Sequence, residues 1–134
     1  MTIKPVYDVV VIGSGPGGLA AAIEAKRSGA EDVLILERDV EPGGILLQCI
    51  HNGFGVEILK QDLPGPSYAQ KYINDARSLG IQILTDTMVL DISPSRTIFA
   101  SSRGLGVMEI KARAIVLAMG CRERTRAQVR LPGT

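Results

Sequence analysis

The 134-residue chain contains two cysteines, one histidine, no tryptophan and almost no excess of either charge. Cys49 and Cys121 stand far apart and form no Cys-x-x-Cys pair, which argues against a zinc site or other metal and against a disulfide framework. Reduced thiols and a cytoplasmic setting are expected. Fifteen basic and 14 acidic side chains leave a formal charge of +1, so no broad basic surface offers itself to nucleic acid. No apolar run approaches the length of a membrane span, and residues 1–5 lead into the first apolar run without the arrangement of a signal peptide. Repeats and low-complexity stretches are also lacking. What is present is one domain's worth of chain, 46% apolar, long enough to bury a core and too short for two domains.

The apolar run at residues 6–12 leads into Gly13-Ser14-Gly15-Pro16-Gly17-Gly18, then a helical stretch as far as Gly29, then Val33-Leu34-Ile35-Leu36 and Glu37. That order of strand, glycine turn, helix, strand and acid is a dinucleotide-binding fingerprint. Gly13 permits the tight turn, Gly15 leaves room for a pyrophosphate, and Gly18 lets the helix lie close to the sheet. The helix that follows presents unpaired N–H groups and its positive dipole end to a diphosphate. Glu37 follows Gly18 by nineteen residues, where a carboxylate accepts hydrogen bonds from ribose hydroxyls. The alternative, a glycine-rich turn in an unrelated α/β domain, leaves Glu37 without a role. Arg38 either lies along the adenosine or points into water, and as a receiver of a 2′-phosphate it is opposed by Glu37.

Residues 19–28 are alanine-rich and proline-free, suited to a helix packed closely on a sheet, with Gly29 as its cap. Between Arg38 and Pro66 periodicity fails around a short apolar run, Ile45-Leu46-Leu47, and an irregular stretch of this length is usually functional. Pro66-Ser67 opens a second helix that stops at Gly80. Residues 81–84 and 87–92 read as strands, and 97–101 and 107–111 as a hairpin turning at Arg103-Gly104-Leu105-Gly106. A last run, residues 114–118, is apolar throughout, as for a strand buried on both faces. The expected fold is α/β and Rossmann-like: a largely parallel sheet with helices on its faces and an antiparallel hairpin inserted before the last strand.

These residues resemble the amino-terminal part of the FAD-binding domain of the pyridine nucleotide-disulfide oxidoreductase-like flavoproteins, over residues 6–134. Ala22 and Gly29 meet the family's extension of the fingerprint, and Gly43-Gly44 sits where such proteins often carry a glycine pair. Residues 114–120 resemble the second family signature, a strand ending in Ala-Thr-Gly near the flavin, with Met119 in place of threonine. Residues 44–55 and 120–124 resemble a narrower set of NAD(P)/FAD-dependent oxidoreductases akin to subunits of amine, opine or glycerol-phosphate dehydrogenase systems.

The resemblance implies FAD as cofactor, NAD(P) in the intact enzyme, and a partner subunit or further domain. It assigns Gly44, Ala118, Met119 and Gly120 to the flavin side and the backbone of Val89 to the adenine. Family disulfide reductases often carry Cys-x-x-x-x-Cys after the glycine pair. Here the fifth position after Cys49 is Phe54, which excludes a redox-active disulfide at that site. Family enzymes also continue into a nicotinamide domain and a return segment, so residues 1–134 are expected to form a single incomplete FAD-binding domain.

His51, the sole histidine, is a candidate acid, base or charge partner of the flavin, against the plainer reading of a loop histidine bonded to backbone. Cys49 is a weaker catalytic candidate against an inert buried thiol. Cys121 either faces the cofactor or is a packed small residue. Arg122, Glu123, Arg124 and Arg126 form either a phosphate or domain contact or a solvated turn. Three other readings stand beside the flavoenzyme: a non-catalytic nucleotide-binding module completed by another polypeptide, an NAD-binding Rossmann protein without flavin, and an inactive fragment that self-associates through an open edge into a homo-oligomer.

Overall fold

The computed structural model describes residues 3–121, 124–125 and 128–130. The apolar first run is strand β1 (Val6–Ile12), rich in the β-branched side chains that suit a pleated surface. It turns into helix α1 (Pro16–Arg27), which opens on proline and ends on Lys26 and Arg27, both favourable to the helix dipole. Strand β2 (Val33–Leu36) follows, then a 3₁₀ turn (Gly44–Gln48), a single helical turn α2 (Val56–Leu59) and helix α3 (Gly65–Ser78). Strands β3 (Gln82–Leu84), β4 (Thr87–Ile92), β5 (Thr97–Ser102) and β6 (Gly106–Leu117) complete the described elements. Both long helices stop at a glycine of positive φ. The N–H groups of Gly29 and Ala30 reach back to the carbonyls of Lys26 and Ala25 in α1, and those of Gly80 and Ile81 to the carbonyls of Arg77 and Ala76 in α3.

The six strands form one sheet in the order β3-β2-β1-β6-β5-β4. The pairs β3–β2, β2–β1 and β1–β6 are parallel, whereas β6–β5 and β5–β4 are antiparallel. The expected α/β class and the hairpin are both present. The expected separate last strand is not: β6 is continuous from the hairpin through the parallel pairing. Lys111 marks the change of partner, standing opposite Thr97 of β5 and opposite Val6 of β1.

Alternation in the central strands divides the core into two layers. Val11, Val33 and Ile35 face α1 and α3 and pack with Leu19, Ala22, Ile23, Ile73 and Ala76. Val10, Leu34 and Leu36 face the other way and share a buried cluster with Ile98 of β5 and Ile110 of β6. Both long helices therefore cover one face of the sheet, and the antiparallel strands contribute to the core on the other. The expected α/β, Rossmann-like class is met, with both long helices on the same face. Near the start of β1 the N–H groups of Asp8 and Val9 both donate to the Asp32 carbonyl, and Tyr7 packs on the same side as Val10.

The run 114–118 also departs from expectation. Val116 and Ala118 pack on the helix-side core, but Leu117 is 61% exposed, so the strand end is covered on one face only among the described residues. Apolar content by itself does not say whether a second layer is there to cover it.

Candidate dinucleotide site

The site forms where β1 ends and α1 begins, because the turn between them is squeezed from two directions. Gly13 has φ +101°, and a side chain there would overlap the carbonyl of Ala118 at the end of β6. A side chain on Gly18 would overlap the carbonyl of Gly13. These two glycines are demanded by the protein's own packing, which brings helix, turn and strand end into backbone contact. The turn is pinned further by the Gly13 N–H donating to the Leu36 carbonyl at 2.8 Å and by the Ala118 N–H donating to the Ile12 carbonyl at 2.8 Å.

Gly15 is different. It caps α1 with ordinary extended geometry, φ −67° and ψ −178°, and a Cβ placed on it meets nothing within 4 Å. Gly17 likewise faces open space. Among the described residues neither conformation nor packing requires glycine at position 15, which stands immediately before the first turn of α1. The N–H groups of that turn lack partners within the helix, and the turn itself carries no acidic residue. An anion fits such a place.

Glu37 lies directly after β2 and is 6% exposed. Its Oε2 accepts the N–H of Ser14 at 2.9 Å and the Ser14 hydroxyl, and its Oε1 accepts the N–H of Asp39 at 2.9 Å. The acid expected to meet a ribose is therefore also a structural tie between β2 and the glycine turn. A carboxylate has about four acceptor positions, so among the described residues one remains on Oε1. The fully buried Ser14 hydroxyl also accepts the N–H of Gly43 at 3.2 Å. Gly44 then reaches Gly15 so closely that a Cβ on it would lie 2.8 Å from the Gly15 Cα.

The structure thus brings together Gly13, Ser14, Gly15, Gly18, Glu37, Gly44, Ala118 and Met119. Gly44 sits against Gly15, beside the turn itself. Met119 and Gly120 are exposed. Val89 lies on the outer strand β4, two residues beyond Thr87, whose N–H donates to the Glu37 carbonyl at 2.9 Å. Arg38 is exposed and 3.9 Å from Asp39. The bonds by which the backbone N–H groups of Gly43 and Asp39 hold Ser14 and Glu37 are not legible in the sequence, because a backbone donor leaves no residue-type signature.

The two catalytic candidates lie on the 49–55 loop, and their side chains bond to nearby carbonyls. Cys49 is half-buried and its thiol donates to the Ile45 carbonyl at 3.4 Å. His51 is exposed, with Nδ1 2.8 Å from the Asn52 carbonyl oxygen. Its ring is 5.3 Å from that of Phe54, which is 6.0 Å from Tyr68, and Tyr68 is 4.9 Å from Tyr72. Tyr68 and Tyr72 line a small apolar cleft with Pro16, Leu19 and Leu46. The Tyr68 hydroxyl donates to that of Tyr72, and this bond, aided by burial, raises the Tyr68 pKa above the ordinary tyrosine value. Cys121 is an exposed free thiol. Arg124 is exposed, while Arg122, Glu123 and Arg126 of the charged stretch lie outside the described residues.

Residues 7–134 match the family profile described as pyridine nucleotide-disulphide oxidoreductase. The chain belongs to this family. Its members are flavin-dependent oxidoreductases, and FAD and a pyridine nucleotide are the family's cofactors. Thioredoxin reductase of Listeria innocua is 32% identical over 125 residues, covering 90% of this chain and 36% of that protein. An opine oxidase subunit of Agrobacterium tumefaciens is 28% identical over 125 residues, covering 88% of this chain and 24% of that protein. The solved thioredoxin reductase of Lactococcus lactis superposes with a TM-score of 0.70 at 27% identity, covering 89% of this chain and 37% of that one. The chain spans between about a quarter and two fifths of the length of such curated relatives. Among the described residues, no helix is long and apolar enough to cross a membrane.

Proposed function

We propose that this chain is the FAD-binding portion of an NAD(P)/FAD-dependent oxidoreductase, in which electrons pass between the flavin and a nicotinamide or a partner subunit. One observation carries the reading: Gly15 is glycine with no internal reason to be so, and the space it keeps clear lies before the first turn of α1. Family membership supports the same cofactor. The residues present fit the group. Backbone N–H groups at Gly17 and Gly18 would hold the diphosphate, the free position on Glu37 Oε1 an adenosine hydroxyl, and the backbone near Val89 the adenine. Gly44, Ala118, Met119 and Gly120 would border the remaining part.

When bound, the flavin supplies the redox chemistry, and the protein supplies position and electrostatics. The acidic Glu37 beside the turn favours ribose hydroxyls over a 2′-phosphate in that place. A partner subunit is in keeping with the similarity to an opine oxidase component, and a cytoplasmic setting with the two free thiols. The test is titration of the purified chain with FAD, using ADP and NAD as competitors and following flavin fluorescence. Saturable binding displaced by ADP is expected. Absence of FAD binding, with thermal stabilisation by NAD alone, would replace the reading with a flavin-free Rossmann protein.

A further inference from the structure

We infer that Ser14 is a positioning residue: its buried hydroxyl orients the Glu37 carboxylate toward the adenosine ribose and locks the Gly43–Gly44 loop to the same point. The inference rests on the dinucleotide reading above and adds a role for a side chain at a position where the fingerprint asks only for some residue between two glycines.

The turn after β1, the end of β2 and the loop that follows β2 meet at this one oxygen. Ser14 is fully buried, and its single hydroxyl proton goes to Glu37 Oε2, so the lone pairs are left to accept the Gly43 N–H. The direction of the hydroxyl is thereby determined from both sides. Oε2 also takes the Ser14 N–H, which fills both of its in-plane positions, and Oε1 takes the Asp39 N–H. With three of its acceptor positions engaged by protein, Glu37 cannot rotate freely, and the one position it keeps for a ligand lies on Oε1. A site whose polar groups are already aligned spends less of its binding free energy on ordering. The loop anchored through Gly43 in turn places Gly44 against Gly15. Alanine at position 14 would leave the Gly43 N–H without its acceptor and Oε2 half-filled, so the carboxylate would gain an alternative orientation.

The experiment compares ADP with 2′-deoxy-ADP and 3′-deoxy-ADP on the 134-residue chain, by competition against FAD, in the wild type and in Ser14→Ala. A hydrogen bond to a charged group makes at least one deoxy analogue about tenfold weaker than ADP in the wild type. In Ser14→Ala that ratio falls to within about twofold, because the hydroxyl is no longer met by an aligned carboxylate. A purely structural role would lower affinity for all three nucleotides alike and leave the ratio intact, which would overturn the inference. Ser14→Cys, close in size and poor as a hydrogen-bond partner, reads the same ratio if the alanine variant does not fold, and Ser14→Thr, which keeps the hydroxyl, retains the wild-type ratio. A wild type that binds FAD and ADP without discriminating the deoxy analogues overturns the role of Ser14 alone. A wild type that binds neither overturns the dinucleotide reading itself.

Discussion

The backbone N–H and the hydroxyl of Ser14 both donate to Oε2 of Glu37, so the acid after β2 and the turn after β1 are a single hydrogen-bonded unit across 23 residues of sequence. Its donors and its acceptor all belong to the chain itself, so the groups around the turn divide into those that serve the fold and those suited only to an occupant.

On the proposed dinucleotide reading, Gly15 serves the occupant alone. Gly15→Val is expected to fold with a thermal midpoint near that of the wild type, since a Cβ meets nothing within 4 Å, and to lose FAD and ADP binding because its side chain fills the approach to α1. Thermal unfolding beside a fluorescence titration checks both halves. Retained affinity would sink the pyrophosphate assignment.

Gly18 serves the fold. A methyl group there would overlap the Gly13 carbonyl, which cannot yield without moving the turn away from β6. Gly18→Ala is expected to destabilise the chain by about 3 kcal/mol or more, in the upper range for single substitutions. Denaturant unfolding would show it, and a loss below about 1 kcal/mol would mean that α1 slides easily on the sheet.

Leu34 lies in the centre of β2, fully buried in the layer shared with the antiparallel strands. Leu34→Ala is expected to cost about 2–5 kcal/mol through lost burial and the cavity left behind. Met119→Ala, at a side chain 66% exposed, is expected to change stability by no more than about 0.5 kcal/mol. The pair of unfolding curves tests whether the second face of the sheet is a packed layer.

Asp8 predicts a pH effect. Its carboxylate accepts the N–H groups of Asp32 and Glu31, each at 3.0 Å, and pairs with Arg113 at 3.2 Å. The Asp32 backbone bond leads these effects, which together hold the pKa below the ordinary aspartate value against some desolvation. A carboxylate with a depressed folded pKa contributes stability that is complete above its unfolded pKa and is lost as pH falls through the folded one. Wild type and Asp8→Asn should therefore differ in thermal midpoint at neutral pH and converge in acid below the ordinary aspartate range. A gap that stays constant with pH would remove the ionised carboxylate from the account.

The glycine turn, the acid, the helix stops at Gly29 and Gly80 and the hairpin at Arg103 to Gly106 were determined by sequence alone, because each depends on backbone geometry or spacing within a few dozen residues. Only tertiary structure decided that both long helices share one face, that β6 runs unbroken through Lys111, and that Leu117 stays exposed. Those outcomes depend on which strands pair and which layer covers them, and an apolar run reads alike whether it is covered once or twice. The same holds for Ser14, whose hydroxyl has meaning only beside Glu37 and Gly43. It holds too for His51 and Cys49, whose residue types suggest chemistry while their bonds in the fold go to nearby carbonyls. Local geometry is written in residue type and spacing, whereas the partner of a side chain is chosen by contacts that only the folded chain makes.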